Sequence, residues 1–181
     1  MLFRSSARYS SDATGNQSFG YFGGGAGPVS TVDRVDYSND TATAVAKGPL
    51  SATRYFLGAT GNQNFGYFGG GNPGPVSTID RVDYSNDTAT ALAKGPLSVT
   101  RYGVGATGNS DFGYFAGGYN YPTYYTTVDR IDYSNDTGTT PTKGPLSVAR
   151  YALAATGNSD FGYFGGGATP IVSTVDRIFI R

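Results

Sequence analysis

One short sequence, repeated four times, constrains what this chain can fold into more than any other feature. The copies of "FGYFGGG" begin at Phe19, Phe65, Phe112 and Phe161, and only the third differs, with Ala116 in its fifth position. The preceding "ATGN" begins at residues 13, 59, 106 and 155, so successive units lie 46, 47 and 49 residues apart. Periods of this length are typical of propeller blades and of helical arrays.

Residue types within the unit decide between these two architectures. A helical array needs Leu, Ala, Glu and Lys at helical spacing, whereas this unit consists largely of Gly, Thr, Tyr, Val and Asp, and the chain contains no Glu. Turn sequences divide each unit into four extended segments. In the second unit we predict strands at about Arg54–Thr60, Phe65–Phe68, Ser77–Tyr84 and Thr88–Ala93. Four short antiparallel strands form one propeller blade.

We therefore predict an all-β fold, a single β-propeller domain spanning 1–181. Its four units cover about 8–53, 54–100, 101–149 and 150–181. The last unit stops after its third strand, which leaves one blade incomplete. The N-terminal tail could pair with that edge and close a four-bladed ring, another copy of the chain could complete it, or a different protein could do so.

Neighbouring blades stack face against face, which explains the aromatic and glycine-rich repeat. We expect Phe19 and Tyr21 to face one neighbouring blade and Phe22 to face the other, because side chains alternate along a strand. The glycines allow the blades to approach closely. The segments 27–55 and 74–102 differ only at Val32/Ile79, Val45/Leu92 and Ala52/Val99. Because each swap is apolar for apolar, we predict that all three sites lie between blades.

The unit resembles the kelch repeat, which carries a diglycine after an apolar strand, a Tyr on the third strand, a Trp on the fourth and an Arg that opens the next unit. Here the diglycines are Gly24-Gly25, Gly70-Gly71, Gly117-Gly118 and Gly166-Gly167. The tyrosines are Tyr37, Tyr84 and Tyr133, and the arginines are Arg8, Arg54, Arg101 and Arg150. The Trp positions hold Ala44, Ala91 and Thr140 instead. The resemblance implies a kelch-like propeller, a family that commonly has six or seven blades.

The third-strand sequence "STVDRVDYSNDT", which starts at Ser30, and its near-copies are also similar to repeats in virion proteins of marine phages. That similarity implies a virion component. If the chain is viral, we expect it in the virion.

Charge and composition argue against several classes of function. Thirteen basic residues balance thirteen acidic ones and the isoelectric point is near 6.1, so we expect no nucleic-acid partner. We expect a soluble chain without a signal peptide or membrane insertion, because no apolar run is long enough. The absence of His and Cys removes most zinc, copper and nucleophilic sites, so we predict no metal, no cofactor and no catalytic residue. The recurring Asp-Arg pairs are interpreted as structural ion pairs across strands or blades.

Two groups of residues are candidate interaction sites. The connection after the glycines varies between units, and its third version brings four tyrosines and one amide together in Tyr119, Asn120, Tyr121, Tyr124 and Tyr125. Tyrosines on a variable loop suit both protein surfaces and glycans. The second group is a predicted assembly edge formed by Ile178, Phe179 and Ile180 with Met1, Leu2 and Phe3.

From these features we predict a non-catalytic structural or interaction propeller, not an enzyme. It would be an assembly component that makes protein–protein contacts, as a homo-oligomer or in a larger assembly. The alternative is a lectin-like propeller that binds a glycan or receptor through the variable loops.

Overall fold

A computed structural model describes residues 7–169 and 171–181 of the chain, and it confirms the predicted all-β fold. Four antiparallel sheets are arranged as a four-bladed β-propeller. Each repeat unit of the sequence supplies one sheet, so the repeat and the blade are the same unit.

The strands of the first two blades follow the same order. Blade 1 contains β1 (Asp12–Gly15), β2 (Phe19–Gly23), β3 (Val32–Asp36) and β4 (Val45–Lys47). Blade 2 contains β5 (Gly58–Gly61), β6 (Phe65–Gly69), β7 (Ile79–Asp83) and β8 (Leu92–Lys94). Strands one, three and four of blade 2 are shorter than predicted, because turn residues occupy their ends.

Blade 3 carries an extra hairpin and blade 4 has three strands. Blade 3 contains β9 (Gly105–Gly108), β10 (Phe112–Ala116), β13 (Thr127–Asp132) and β14 (Thr142–Pro145), with the hairpin β11 (Tyr119–Asn120) and β12 (Thr123–Tyr124) between its second and third strands. Blade 4 contains β15 (Ala154–Gly157), β16 (Phe161–Gly165) and β17 (Val175–Phe179). The sheet of blade 4 therefore has three strands, as predicted, in the part of the chain that the structure describes.

Each blade is a meander in which hydrogen-bonded neighbours are also neighbours in sequence. The first strands of successive blades contact one another, β1 with β5, β5 with β9 and β9 with β15. The central strands are paired in the same register in every blade, so that Tyr21 lies opposite Arg34 in blade 1 and Tyr67 lies opposite Arg81 in blade 2. Equivalent side chains therefore recur at equivalent places in all four blades.

Three apolar cores hold the blades together, and each lies between two successive blades. In the first, Tyr21 and Val32 of blade 1 pack with Phe68 and Val82 of blade 2. We call the side of a blade that carries Tyr21 or its equivalent the front face, and the side that carries Phe68 or its equivalent the back face. The prediction that the Tyr and the second Phe of the repeat face opposite neighbours is confirmed at this interface.

The glycine at the end of the second strand allows this close approach. A Cβ atom on Gly23 would lie 2.6 Å from the ring of Phe68, and one on Gly69 would lie 2.7 Å from the ring of Phe115. Such separations are shorter than van der Waals contact. The next glycine has a different role, because Gly70 adopts a φ of +69° that favours glycine.

The prediction that all three apolar swaps lie between blades is only partly correct. Val32 and Ile79 are fully buried on front faces, as predicted. Val45 and Leu92 are 55% and 57% exposed, which contradicts the prediction. The physical reason is their position on β4 and β8, the outermost strands, where the blades diverge. The third pair is also not part of an interblade core, since Ala52 is exposed and Val99 is half-buried.

Candidate functional site

The tyrosine-rich connection of blade 3 is a hairpin that lies against Tyr102 of its own unit and Tyr151 of the next unit. Tyr119 stacks on Tyr124 across the hairpin, with ring centroids 4.4 Å apart. Both rings also contact Tyr151, each at 5.8 Å. Tyr102 meets Tyr119 edge to face at 5.5 Å. These rings form a continuous aromatic surface.

The surface continues into the preceding unit. The ring of Phe56 lies 6.0 Å from that of Tyr102 and 5.4 Å from that of Tyr55. We call the whole set the tyrosine tract: Tyr55, Phe56, Tyr102, Tyr119, Tyr121, Tyr124 and Tyr151. All of its rings are half-buried except that of Tyr121, which is 83% exposed at the hairpin tip.

The five predicted loop residues have different roles in the structure. Tyr119 and Tyr124 belong to the stacked part of the tract, and Tyr121 projects from it. The side-chain amide of Asn120 donates a hydrogen bond to the hydroxyl of Thr100 at 2.9 Å, which fixes the hairpin to the preceding connection. The main-chain amide of Tyr125 donates to the carbonyl of Gly118 at 3.0 Å. Asn120 and Tyr125 therefore shape the hairpin.

Sequence reasoning missed the contributions of Tyr102 and Tyr151. Both follow the arginine that opens a unit, as do Tyr9 and Tyr55. The residues after this arginine pair with the connection that follows the glycines, as in the bridges Tyr102–Tyr119 and Tyr55–Asn72. The recurring "RY" was the available signal.

The tyrosine hydroxyls add polar atoms to the apolar surface of the tract. Burial raises the pKa of Tyr102, and the neighbouring Tyr151 adds to this increase. The side-chain amide of Asn72 donates to the hydroxyl of Tyr55 at 2.9 Å. Flat rings with hydroxyls at their edges can stack on an apolar face of a ligand and exchange hydrogen bonds at its margin.

The arginines that open the units are buried and form ion pairs within their own blade. Arg101 is fully buried and lies 2.9 Å from Asp129, which also accepts hydrogen bonds from the amide and the hydroxyl of Ser98 at 2.9 and 2.7 Å. The equivalent pairs are Arg8–Asp33, Arg54–Asp80 and Arg150–Asp176. The structure thus confirms ion pairing of these recurring aspartates, and serines at the end of the preceding unit also bind Asp80, Asp129 and Asp176.

A second group of polar residues joins each front face to the next back face. From blade 1, the Tyr21 hydroxyl donates to Asp87 of blade 2 at 3.0 Å, and Arg34 and Lys47 approach the same carboxylate at 2.7 and 3.2 Å. Tyr21 also stacks on Tyr84 at 4.4 Å. We call this arrangement the blade lock.

The blade lock recurs at the second interface with nearly the same distances. Tyr67, Arg81 and Lys94 approach Asp136 of blade 3 at 2.9, 2.8 and 3.2 Å. At this interface Tyr67 stacks on Tyr133 at 4.7 Å. Because the two locks agree in every component, the lock is a property of the repeat.

The third interface uses a main-chain oxygen in place of the carboxylate. The Tyr114 hydroxyl and the guanidinium of Arg130 donate to the carbonyl oxygen of Arg181 at 3.1 and 2.6 Å. Ile180 occupies the place of the stacked tyrosine and is buried with Phe164 and Tyr114 in the third core. The donors of blade 3 are therefore satisfied by blade 4.

No comparable contact joins blade 4 to blade 1 within residues 7–169 and 171–181. The extensive contacts between first strands join β1, β5, β9 and β15 in sequence, and β15 and β1 do not form one. Val175 on the front face of blade 4 is 62% exposed, whereas its equivalents Val32, Ile79 and Val128 are fully buried. Among the described residues, therefore, no blade covers the front face of blade 4.

The predicted assembly edge divides into residues with different environments. Ile180 is buried and Ile178 is half-buried against blade 3, so both belong to the third core. Phe179 is 53% exposed and contacts the ring of Phe161 at 5.2 Å. Met1, Leu2 and Phe3 lie outside the described residues.

The described residues contain neither a cluster of metal-binding side chains nor a helix that could span a membrane. In residues 7–169 and 171–181, no cluster of three or more acidic side chains is arranged to hold a metal ion. In the same residues, no helix has the length and apolar character needed to cross a membrane.

Comparisons with known proteins give no family assignment. No protein-family model matches the chain, and no curated protein is significantly similar to it.

Proposed function

We propose that this protein is a non-catalytic interaction module that joins a protein assembly through the open front face of its fourth blade. The observation that carries the proposal is the exposure of Val175, at 62%, in a position that is fully buried in the other three blades. Among the described residues no fourth strand pairs with β17, and exposed apolar surface on a sheet with such an edge strand is typical of a protein–protein contact.

Other exposed apolar residues of the same blade support this contact. Phe179 and Ile171 are 53% and 91% exposed, and both belong to blade 4 or its connection. Arg177 lies 4.8 Å from the centroid of Phe161 and keeps a positive charge beside this surface. Aromatic residues and arginine are enriched in protein interfaces.

The use of the recurring aspartates also favours a structural role. Asp80, Asp129 and Asp176 accept hydrogen bonds from serines and pair with buried arginines. A carboxylate held in this way is stabilised in its charged form by permanent partners. Since the arrangement repeats from blade to blade, it supports the packing of the propeller.

We also propose that the repeat unit is kelch-like and that the protein is a component of a virion. The kelch resemblance is supported by the diglycines, whose first members Gly24, Gly70, Gly117 and Gly166 have φ values of 64° to 69°. The arginines that open the units are buried against the aspartates of the third strands. The virion setting is supported by the similarity of the third-strand sequence, as in 30–41, to repeats in virion proteins of marine phages.

Sedimentation equilibrium of the full chain and of Val175→Asp tests the proposed function. We expect the wild-type chain to associate and Val175→Asp to abolish that association, because the carboxylate would be buried at the contact. Val45→Asp is the matched control, since Val45 is 55% exposed on blade 1. Equal masses for wild type and Val175→Asp at every concentration would contradict the proposal.

A second candidate function is glycan binding by the tyrosine tract. It is favoured by the continuous set of half-buried rings that ends in the exposed Tyr121. Stacking of aromatic rings on the apolar faces of sugars would need only this kind of surface. A glycan array and subsequent titration test it. We expect Tyr121→Ala and Tyr151→Ala to weaken binding, and Tyr9→Ala, at a 72% exposed equivalent position, to leave it unchanged.

A further inference from the structure

The two ends of the propeller carry the two halves of the blade lock. At the first two interfaces, a Tyr and an Arg of the front face hold an Asp from the back face of the next blade. Blade 4 supplies the donors Tyr163 and Arg177 at the same positions, and blade 1 supplies the acid, Asp40. Apart from the lysine of the fourth strand, which blade 4 lacks among the described residues, each half is the complement of the other.

The lock residues at both ends have no lock partner among the described residues. Asp40 is exposed, whereas Asp87 and Asp136 are buried in their locks. Within the described residues, neither Tyr163 nor Arg177 donates a hydrogen bond to an acid, and Asp40 accepts none. The donors are already in position, because Arg177 lies over the ring of Phe161 at 4.8 Å, as Arg81 lies over Phe65 at 4.4 Å in a complete lock.

Three further contacts of a complete interface would have one partner on blade 4 and the other on blade 1. In the complete interfaces Tyr67 stacks on Tyr133, and the Tyr133 hydroxyl is 3.1 Å from Thr60 of the preceding blade. At the open ends, Tyr37 of blade 1 is 52% exposed and Thr156 of blade 4 is also exposed. The third component is apolar, since Val175 is the front-face valine that a back face covers elsewhere.

An asparagine ladder on the turn side of the propeller completes the match. The side-chain amides of Asn16, Asn62 and Asn109 each donate to a main-chain carbonyl of the next blade, at 3.2, 3.2 and 2.9 Å. Asn158 is the fourth member and belongs to blade 4. By its position in the repeat, the carbonyl that would accept a hydrogen bond from Asn158 is that of Gln17 in blade 1.

We propose that the front face of blade 4 binds the back face of blade 1 in a second copy of this chain, and that two copies close into one ring. This inference rests on the proposed function and names the partner. Contact between different surfaces of identical chains closes into a ring when the rotation allows it. Two chains of four blades give eight, which is within the usual range of four to eight blades for propellers.

Charge reversal with mixing tests the pairing directly. Arg177→Asp places two acids at the contact, and Asp40→Arg places two arginines there. We expect each variant alone to raise the dimer dissociation constant at least about tenfold, as for a close interfacial charge pair. An equimolar mixture should recover the dimer. At one of its contacts the introduced carboxylate of one chain meets the introduced guanidinium of the other, and the native pair remains at the second contact.

Native mass spectrometry and sedimentation equilibrium provide the readout. Lys143→Asp is the control, since Lys143 is exposed on blade 3 and should leave the dimer unchanged. The expected result is a wild-type mass of two chains, two weakened variants and recovery on mixing. A monomer at every concentration, a mass other than two chains, or no recovery on mixing overturns the inference.

These outcomes separate the inference from the proposed function. If Val175→Asp abolishes association while the mixed charge variants show no recovery, blade 4 is a contact surface but its partner is not blade 1 of a second copy. If wild type is monomeric and each charge variant lowers its unfolding temperature without recovery on mixing, blade 4 contacts blade 1 of the same chain.

Discussion

Blades 2 and 4 contain the same seven residues, "FGYFGGG", at Phe65–Gly71 and Phe161–Gly167, in different surroundings. In blade 2, Tyr67 is fully buried, stacks on a tyrosine of blade 3 and donates to its aspartate. In blade 4, Tyr163 is only half-buried. Local sequence therefore determines the strand, whereas the next blade determines its burial. The blades therefore share one backbone structure but differ in how much the contacts between blades stabilise them.

The largest expected difference concerns the buried ion pairs. Asp129→Asn leaves the fully buried Arg101 without its counter-ion, and we expect a loss of about 3–5 kcal/mol in the free energy of unfolding. The same change at Asp176 should cost less, about 1–3 kcal/mol, because that carboxylate is 15% exposed to water. Urea denaturation of both variants measures the difference. Equal losses would show that the two blades are equally covered.

A smaller difference is expected for the front-face valines. Val128→Ala removes methyl groups from the third core and should cost about 2–3 kcal/mol. Val175→Ala should change the free energy of unfolding by less than about 0.5 kcal/mol at concentrations where the chain is monomeric. A large loss at Val175 in the monomer would mean that blade 1 of the same chain covers it.

The hydroxyl of the repeated tyrosine gives a still smaller effect. Tyr67→Phe removes the hydrogen bond to Asp136, and we expect a loss of about 1.5 kcal/mol, because the acceptor is charged but keeps its contacts with Arg81 and Lys94. Tyr163→Phe should have almost no effect on the monomer. Double-mutant cycles with Asp136→Ala and Asp40→Ala would assign each hydroxyl to its acceptor.

Raising the pH tests the first two interblade interfaces together, because tyrosines are buried in both. Burial, together with the hydrogen bond to Asp87, raises the pKa of Tyr21 to about 12, and burial also raises the pKa values of Tyr84 and Tyr133. Since these pKa values lie above the usual value of about 10 in an unfolded chain, the stability they represent is complete below about pH 10 and is lost at higher pH, for Tyr21 as the pH rises through about 12. We expect tyrosine ionisation, measured by tyrosinate absorbance, and loss of folded structure, measured by circular dichroism, to occur over the same pH range. Ionisation of every tyrosine near the ordinary pKa without unfolding would contradict this expectation.

The sequence predicted the strands and the packing of the blades, but it did not predict which residues of the outermost strands are exposed. The period, the turn residues and the alternation of Tyr21 and Phe22 were sufficient for the propeller and its face-to-face packing. The swap of Val45 for Leu92 was misleading, because an apolar exchange is tolerated at an exposed outer strand as well as in a core. Only the three-dimensional position of β4 and β8 distinguishes these two environments.

The candidate sites could be predicted only where their residues are close in sequence. The hairpin residues Tyr119 and Tyr124 were found because they stand out in one connection, whereas Tyr151 joins them from the next unit. The blade lock combines Tyr21 with Asp87, 66 positions later. Such pairs form because the blades stack on one another, and no short sequence motif indicates which distant residues this stacking brings together.

Hydrogen exchange of the two identical segments tests the central claim most directly. At low protein concentration, the amides of β16 should exchange faster than those of β6, because no neighbouring blade protects the front face of blade 4. At high concentration the difference should become small as a second copy covers that face. Equal protection of the two segments at every concentration would contradict the account.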